Sequence, residues 1–178
     1  MTYFMLANGF EEAEALVPFD ILTRCGINCS LVSFEESNLV TGSHGIRVLA
    51  DMLVKDMDLS DAECIVFPGG GVGTNNLDQN PFTDKILKEA VERNLLIGAI
   101  CAAPSLLGKR GYLKGLKATC YPGFEKYLIG SEISTDRVVC AQRIITAKGA
   151  GAAYDFGHAL ASHLKDEHTA NEVIRKIY

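Results

Sequence analysis

The stretch "LLIGAICAAPSLLG", residues 95–108, decides how this chain is folded. Residues 95–100 carry no charge and are apolar on both sides, which suits a strand in a sheet covered on both faces. Residues 102–107 then start a helix. Cys101 stands at the junction, in a sharp turn after the strand. Runs like the first one recur at 3–7, 28–34, 64–69 and 143–149. Helical patterns lie between several of them, at 12–26, 81–94, 150–164 and 169–178. Alternation of this kind predicts parallel βαβ units. The expected fold class is α/β, a three-layer sandwich of doubly wound type with ligands at the carboxyl ends of its strands. Residues 42–60 fit the pattern least and predict a small hairpin or excursion. Within the helix at 12–26, Leu16, Phe19 and Leu22 fall near one face. No linker, repeat or low-complexity tract interrupts the chain, so 1–178 is expected to form one domain.

Composition narrows the function. The chain has 178 residues, 48% hydrophobic and 22% charged, with a net charge of −5. No Lys/Arg cluster stands out, which argues against a nucleic-acid partner held through phosphates and against a polybasic membrane patch. The first residues, "MTYFMLANGFEEAEA", lack a basic n-region and predict a first strand, not a signal peptide. No apolar stretch approaches a membrane span. A cytoplasmic location is the expectation. Six cysteines, at 25, 29, 64, 101, 120 and 140, include no C-x-x-C pair and no zinc-finger spacing with His. Free thiols and no metal site are expected.

Cys101 has the setting of a nucleophile elbow without the G-x-S-x-G form. Free N–H groups at the start of the following helix would face the side chain, and the helix dipole favours an anion. A lowered thiol pKa is expected, since thiolate is the reactive form. The alternative is a small buried apolar residue. "FPGGGVGTNN" (67–76) reaches the same sheet edge. It lacks the G-K-[ST] ending of a phosphate loop. Gly69 and Gly70 could offer N–H groups to an oxyanion, or form an ordinary turn. "GFEEAEA" (9–15) brings Glu11, Glu12 and Glu14 to the loop-to-helix boundary, where carboxylates are usually solvated. Glu14 differs. Either the helix includes it and Pro18 cannot donate to its carbonyl, or the helix starts later with Pro18 in its first turn. A carboxyl there could face the thiol and donate a hydrogen bond if burial keeps it protonated.

The segments "GFEEAEALVPFDIL" (9–22), "VFPGGGVGTNNL" (66–77), "IGAICAAPSLL" (97–107) and "AKGAGAAYDFG" (147–157) resemble, in order and spacing, those of the ThiJ/PfpI superfamily, most closely its DJ branch. The resemblance covers nearly the whole chain. It implies a flavodoxin-like sandwich similar to class I glutamine amidotransferase domains, and a homodimer. It implies that Cys101 is the reactive nucleophile and Glu14 the acid bonded to it. Gly70 and Ala102 would supply oxyanion-type N–H groups, with Gly69, Tyr121 and Gly149 lining the substrate pocket. It further implies cofactor-free chemistry on a small reactive aldehyde or glycated adduct, of glyoxalase or deglycase type, or else a redox-sensing stress protein or chaperone. A small-molecule hydrolase is a third possibility. Many members carry His after the cysteine, before a proline; "TCYPG" (119–123) puts Tyr121 there. That departure weakens a Cys-His pair. His158, His163 and His168 are expected on the surface. Cys120 is expected to be a strand residue, with a resolving thiol as the alternative.

Overall fold

The computed structural model describes residues 1–177, so the last residue of the expected helix at 169–178 lies outside the described part. In chain order the elements are β1 (Thr2–Leu6), α1 (Glu12–Arg24), β2 (Cys29–Ser33), β3 (Leu39–Thr41), β4 (Arg47–Leu49) and β5 (Met52–Leu53). They continue with β6 (Cys64–Phe67), α2 (Gly71–Gln79), α3 (Pro81–Glu92), β7 (Leu96–Ile100) and α4 (Pro104–Lys109). The last are β8 (Lys117–Ala118), β9 (Glu132–Ile133), β10 (Val138–Ala141), β11 (Ile144–Ala147), α5 (Ala153–Leu164) and α6 (Glu167–Ile177). Seven strands form one sheet in the order β10-β11-β7-β6-β1-β2-β5. All its pairs are parallel except β10 with β11. This is the expected three-layer α/β sandwich.

Period-two alternation sends successive residues of β1 into different layers. Tyr3, Met5 and Ala7 join a core with Leu77, Ile86, Leu87, Leu106 and Leu107, from α2, α3 and α4. Phe4 and Leu6 join the opposite core with Ile21, Leu22, Phe156, Leu160 and Val173, from α1, α5 and α6. Full burial of one such side chain contributes about 1.5–3 kcal/mol. Helix α3 starts cleanly because Pro81 follows Asn80, whose side chain accepts from the Phe82 N–H at 3.0 Å.

Several expectations need correction. The buried residues of α1 are Glu12, Glu14, Ala15, Pro18, Ile21 and Leu22; Leu16 and Phe19 are half-buried, with Phe19 packed against the same core as Leu22. The reason is the close approach of α5. A Cβ on Gly157 would lie 2.8 Å from Ile21 Cδ1 and 3.0 Å from Pro18 Cα, so the helices meet along that line. Pro18 lies inside α1, which therefore includes Glu14. Residues 71–79, to which no element was assigned from the sequence, form α2; its glycines and polar residues conceal the helix. Helix α4 begins at Pro104 after a turn, not near Ala102, and has only 6 residues. The 42–60 region contains the end of a β3–β4 hairpin and then β5 at the sheet edge.

Candidate active site

Four connections leave the carboxyl edge of neighbouring strands and converge: β1–α1, β6–α2, β7–α4 and β11–α5. Cys101 follows β7 directly. Its φ of 66° is left-handed, a conformation that costs a non-glycine residue about 1–3 kcal/mol. Three backbone bonds hold it there. Its N–H donates to Ala147 O at 2.9 Å, its carbonyl accepts from the Tyr121 N–H at 2.8 Å, and the Ala103 N–H donates to Ile100 O at 3.1 Å. The elbow is thus clamped between β11 and the segment carrying Tyr121. Cys101 as a residue remains partly exposed.

Glu14 reaches the same point from the first turn of α1. It is 1% exposed. The Gly69 N–H donates to its Oε2 at 2.9 Å. Oε1 is buried without a well-formed hydrogen bond, with the Ala150 N–H and the Cys101 thiol close enough to act on the carboxyl. Gly69 has no room for a side chain. A Cβ there would lie 2.4 Å from Glu14 Oε2 and 2.5 Å from Cys101 Cβ. Gly70 has φ +89°, and a Cβ on it would lie 2.3 Å from Gly9 O. These two glycines let the loop after β6 pack closely against both the acid and the thiol.

Burial pushes the Glu14 carboxyl up to about 7, with a smaller push from the Glu11 charge; the Cys101 thiol and the Gly69 and Ala150 N–H groups pull the other way. Burial, then the Glu14 charge, pushes the Cys101 thiol up to about 12, against the N–H groups of Gly70 and Ala102. The expected acidified thiol is corrected here. Desolvation and a facing carboxylate outweigh the short helix. Ionising both groups would put two negative charges together, so the pair holds one charge at most near neutral pH. With Glu14 protonated, the repulsion vanishes and its O–H can donate to the sulfur.

The structure brings together Cys101, Glu14, Gly69, Gly70 and Ala102. Tyr121 is half exposed, and its ring lies beside Gly149, where a Cβ would come 3.3 Å from Cδ2. Cys120 packs in the core with Leu106 and Leu107, while Cys101 packs against the opposite core. His163 and His168 are exposed and His158 is half-buried. Sequence reasoning missed Ala150, although an N–H donor from "KGAGAA" (148–153) was available at the same sheet edge. It also treated Glu12 as solvated, whereas Glu12 is 5% exposed and bonded to His44. Nothing near His44 in the chain signals that contact. Glu11, Glu12 and His44 place three possible ligand atoms within 4.8 Å, but these atoms already engage one another and Ser43.

Known proteins share this arrangement of chain. Residues 2–163 match the DJ-1/PfpI family. Protein dj-1beta of Drosophila melanogaster is 30% identical over 173 residues, covering 96% of this chain and 92% of its own length. A Caenorhabditis elegans protein named glutathione-independent glyoxalase DJR-1.2 is 30% identical over 169 residues, 94% of this chain and 89% of that one. Protein DJ-1 homolog B of Arabidopsis thaliana is 35% identical over 170 residues; these are 94% of this chain but only 39% of that longer protein. Among solved structures, oxidized Toxoplasma gondii DJ-1 superposes with a TM-score of 0.94 at 29% identity, covering 99% of this chain and 96% of that one. Among the described residues, no helix is long and apolar enough to cross a membrane. Sequence and fold together place the chain in the DJ-1/PfpI family.

Proposed function

We propose that the protein converts α-oxoaldehydes such as methylglyoxal to the 2-hydroxy acid, without glutathione or another cofactor. The observation that carries this reading is the pairing of a partly exposed Cys101 with a buried Glu14 whose carboxyl titrates near neutral pH, about 7. Such a group can both give and take a proton during turnover. The Cys101 thiolate adds to the aldehyde carbon, and the new oxyanion takes a proton to give a hemithioacetal. Glu14 removes the proton from that carbon and a proton reaches the neighbouring oxygen, giving an enediol. Protonation of the second carbon by Glu14, with loss of the proton from the hydroxyl on the sulfur-bearing carbon, leaves a lactate thioester. Water hydrolyses it and frees the thiol. The N–H groups of Gly70 and Ala102, which favour the anion at sulfur, would also face the developing oxyanions. The similarity to a relative named a glutathione-independent glyoxalase supports the same chemistry.

The same pair favours a second reading, an oxidation-sensitive stress protein. Peroxide would take the thiolate to sulfenate with release of water, and a second peroxide would take it to sulfinate. A protonated Glu14 beside the sulfur would stabilise that anion. We also propose a cytoplasmic homodimer, on the strength of the family resemblance. Substrate protection tests the first reading. Methylglyoxal should slow iodoacetamide alkylation of Cys101 while being consumed without added thiol. Unchanged alkylation, or an inert aldehyde, would remove it.

A further inference from the structure

The tip of the β3–β4 hairpin lies on the first turn of α1, two residues from Glu14. The contact is built around Glu12. Burial alone would raise its carboxyl, but bonds from His44, from backbone N–H groups and from Ser43 prevail and hold it at about 2. The His44 N–H donates to Oε1 at 2.8 Å, and His44 Nδ1 lies 2.8 Å from Oε2. Ser43 Oγ is 3.1 Å from Oε2 of both Glu12 and Glu11, and its single proton serves one at a time. His44 Nδ1 is also 3.7 Å from Glu11 Oε1. Gly42 makes the approach possible: a Cβ there would lie 2.3 Å from Glu12 Oε1.

This contact connects to Cys101 and Glu14 in two ways. One is mechanical. The Gly9 N–H donates to Thr41 O and the Ser43 N–H to Phe10 O, each at 2.8 Å, so the tip holds the turn before α1. That turn supports the loop packed against acid and thiol, through the Glu11 N–H on Gly69 O at 3.0 Å and the packing of Gly9 O against Gly70. The other is electrostatic. The Glu11 charge acts on Glu14, and the His44 cation sits between Glu11 and Glu12. When His44 loses its proton, the three groups pass from one net negative charge to two.

We propose that His44, anchored by Glu12, is a positioning residue that sets the pH range in which Cys101 and Glu14 react, by offsetting Glu11 and by holding the turn behind Gly69 and Gly70. The inference rests on Cys101 and Glu14 as the reacting pair and needs no particular substrate. Among the described residues, the charged groups facing His44 are Glu11 and Glu12, and those acting on Glu14 are Cys101 and Glu11. The bond to Glu12, then the charges of Glu11 and Glu12, raise the proton affinity of His44. The contact is therefore at full strength below about pH 6.5 and weakens as pH rises through the higher value of the folded state.

The test compares wild type, His44→Arg and His44→Gln by iodoacetamide alkylation of Cys101 across pH, read by peptide mass spectrometry. Arginine keeps a permanent cation and glutamine keeps none. The His44 side chain is 69% exposed, so both variants should fold, with thermal unfolding as the control. The alkylation midpoint should lie about half a pH unit lower in His44→Arg than in His44→Gln, the scale of one nearby charge in a partly solvated site. Wild type should follow the arginine curve at low pH and the glutamine curve at high pH. Identical midpoints in all three overturn the proposal, and so does a uniform rate loss at every pH, the mark of a purely structural role. Because alkylation needs no aldehyde, an enzyme inert towards methylglyoxal with shifted midpoints would refute the proposed activity and leave this inference standing.

Discussion

Glu14→Gln should stabilise the protein at alkaline pH while removing its proposed activity. Glu14 is 1% exposed, and its carboxyl titrates at about 7 instead of 4.5. That rise corresponds to about 3 kcal/mol. The sign follows from proton binding. Between pH 4.5 and about 7 the folded state keeps a proton that the unfolded chain has released, so stability falls as pH rises. The contribution is complete below pH 4.5 and gone above about 7. Glutamine cannot ionise, keeps nearly the same shape and can still accept from the Gly69 N–H. Urea unfolding of both proteins at pH 4, 6 and 8 reads the difference. The two should be similar at pH 4, and the variant should lead by about 3 kcal/mol at pH 8, or roughly 6–12 °C in Tm for a domain of this size. Alkylation of Cys101 should shift to lower pH in the variant, because the facing negative charge is gone, while aldehyde turnover is lost. A pH-independent difference in stability, or a variant less stable at pH 8, would refute the burial argument.

Gly69→Ala inserts a methyl 2.4 Å from Glu14 Oε2 and 2.5 Å from Cys101 Cβ. Overpacking and a disturbed buried hydrogen bond should together cost about 2–5 kcal/mol in urea unfolding, with a large drop in Cys101 alkylation. Tyr121→Phe should keep most aldehyde turnover and the alkylation midpoint, because Tyr121 holds Cys101 through its backbone N–H at 2.8 Å, which the substitution leaves in place. A hundredfold loss, about 2.7 kcal/mol, would show that the hydroxyl takes part. Light scattering at micromolar concentration should give twice the mass of one chain, and a monomer mass would contradict the dimer.

The sheet was legible because its central strands are apolar on both sides and separated by helical patterns. Residues 95–100 and 64–69 announce a covered parallel sheet, and topology then brings their carboxyl ends together. Cys101 was legible as an elbow from its place between strand and helix. Glu14 was singled out by Pro18, four residues on in the same helix. Short edge elements were not legible. Strand β5 has 2 residues, too few for a period to appear, and α2 is masked by Gly71 and Gly73. The direction of the Cys101 shift was also out of reach. It depends on burial and on the facing carboxylate, both set by packing between distant segments. Glu12 was misjudged for the same reason, since its partner His44 comes from a hairpin 32 residues away.

Product analysis with methylglyoxal tests the central claim most directly. Wild type and Cys101→Ser are incubated with methylglyoxal in the absence of glutathione, and the product is identified by NMR. Lactate should form with wild type at a rate proportional to enzyme, and none above background with Cys101→Ser. Lactate at equal rates from both proteins, or none from wild type, would contradict it.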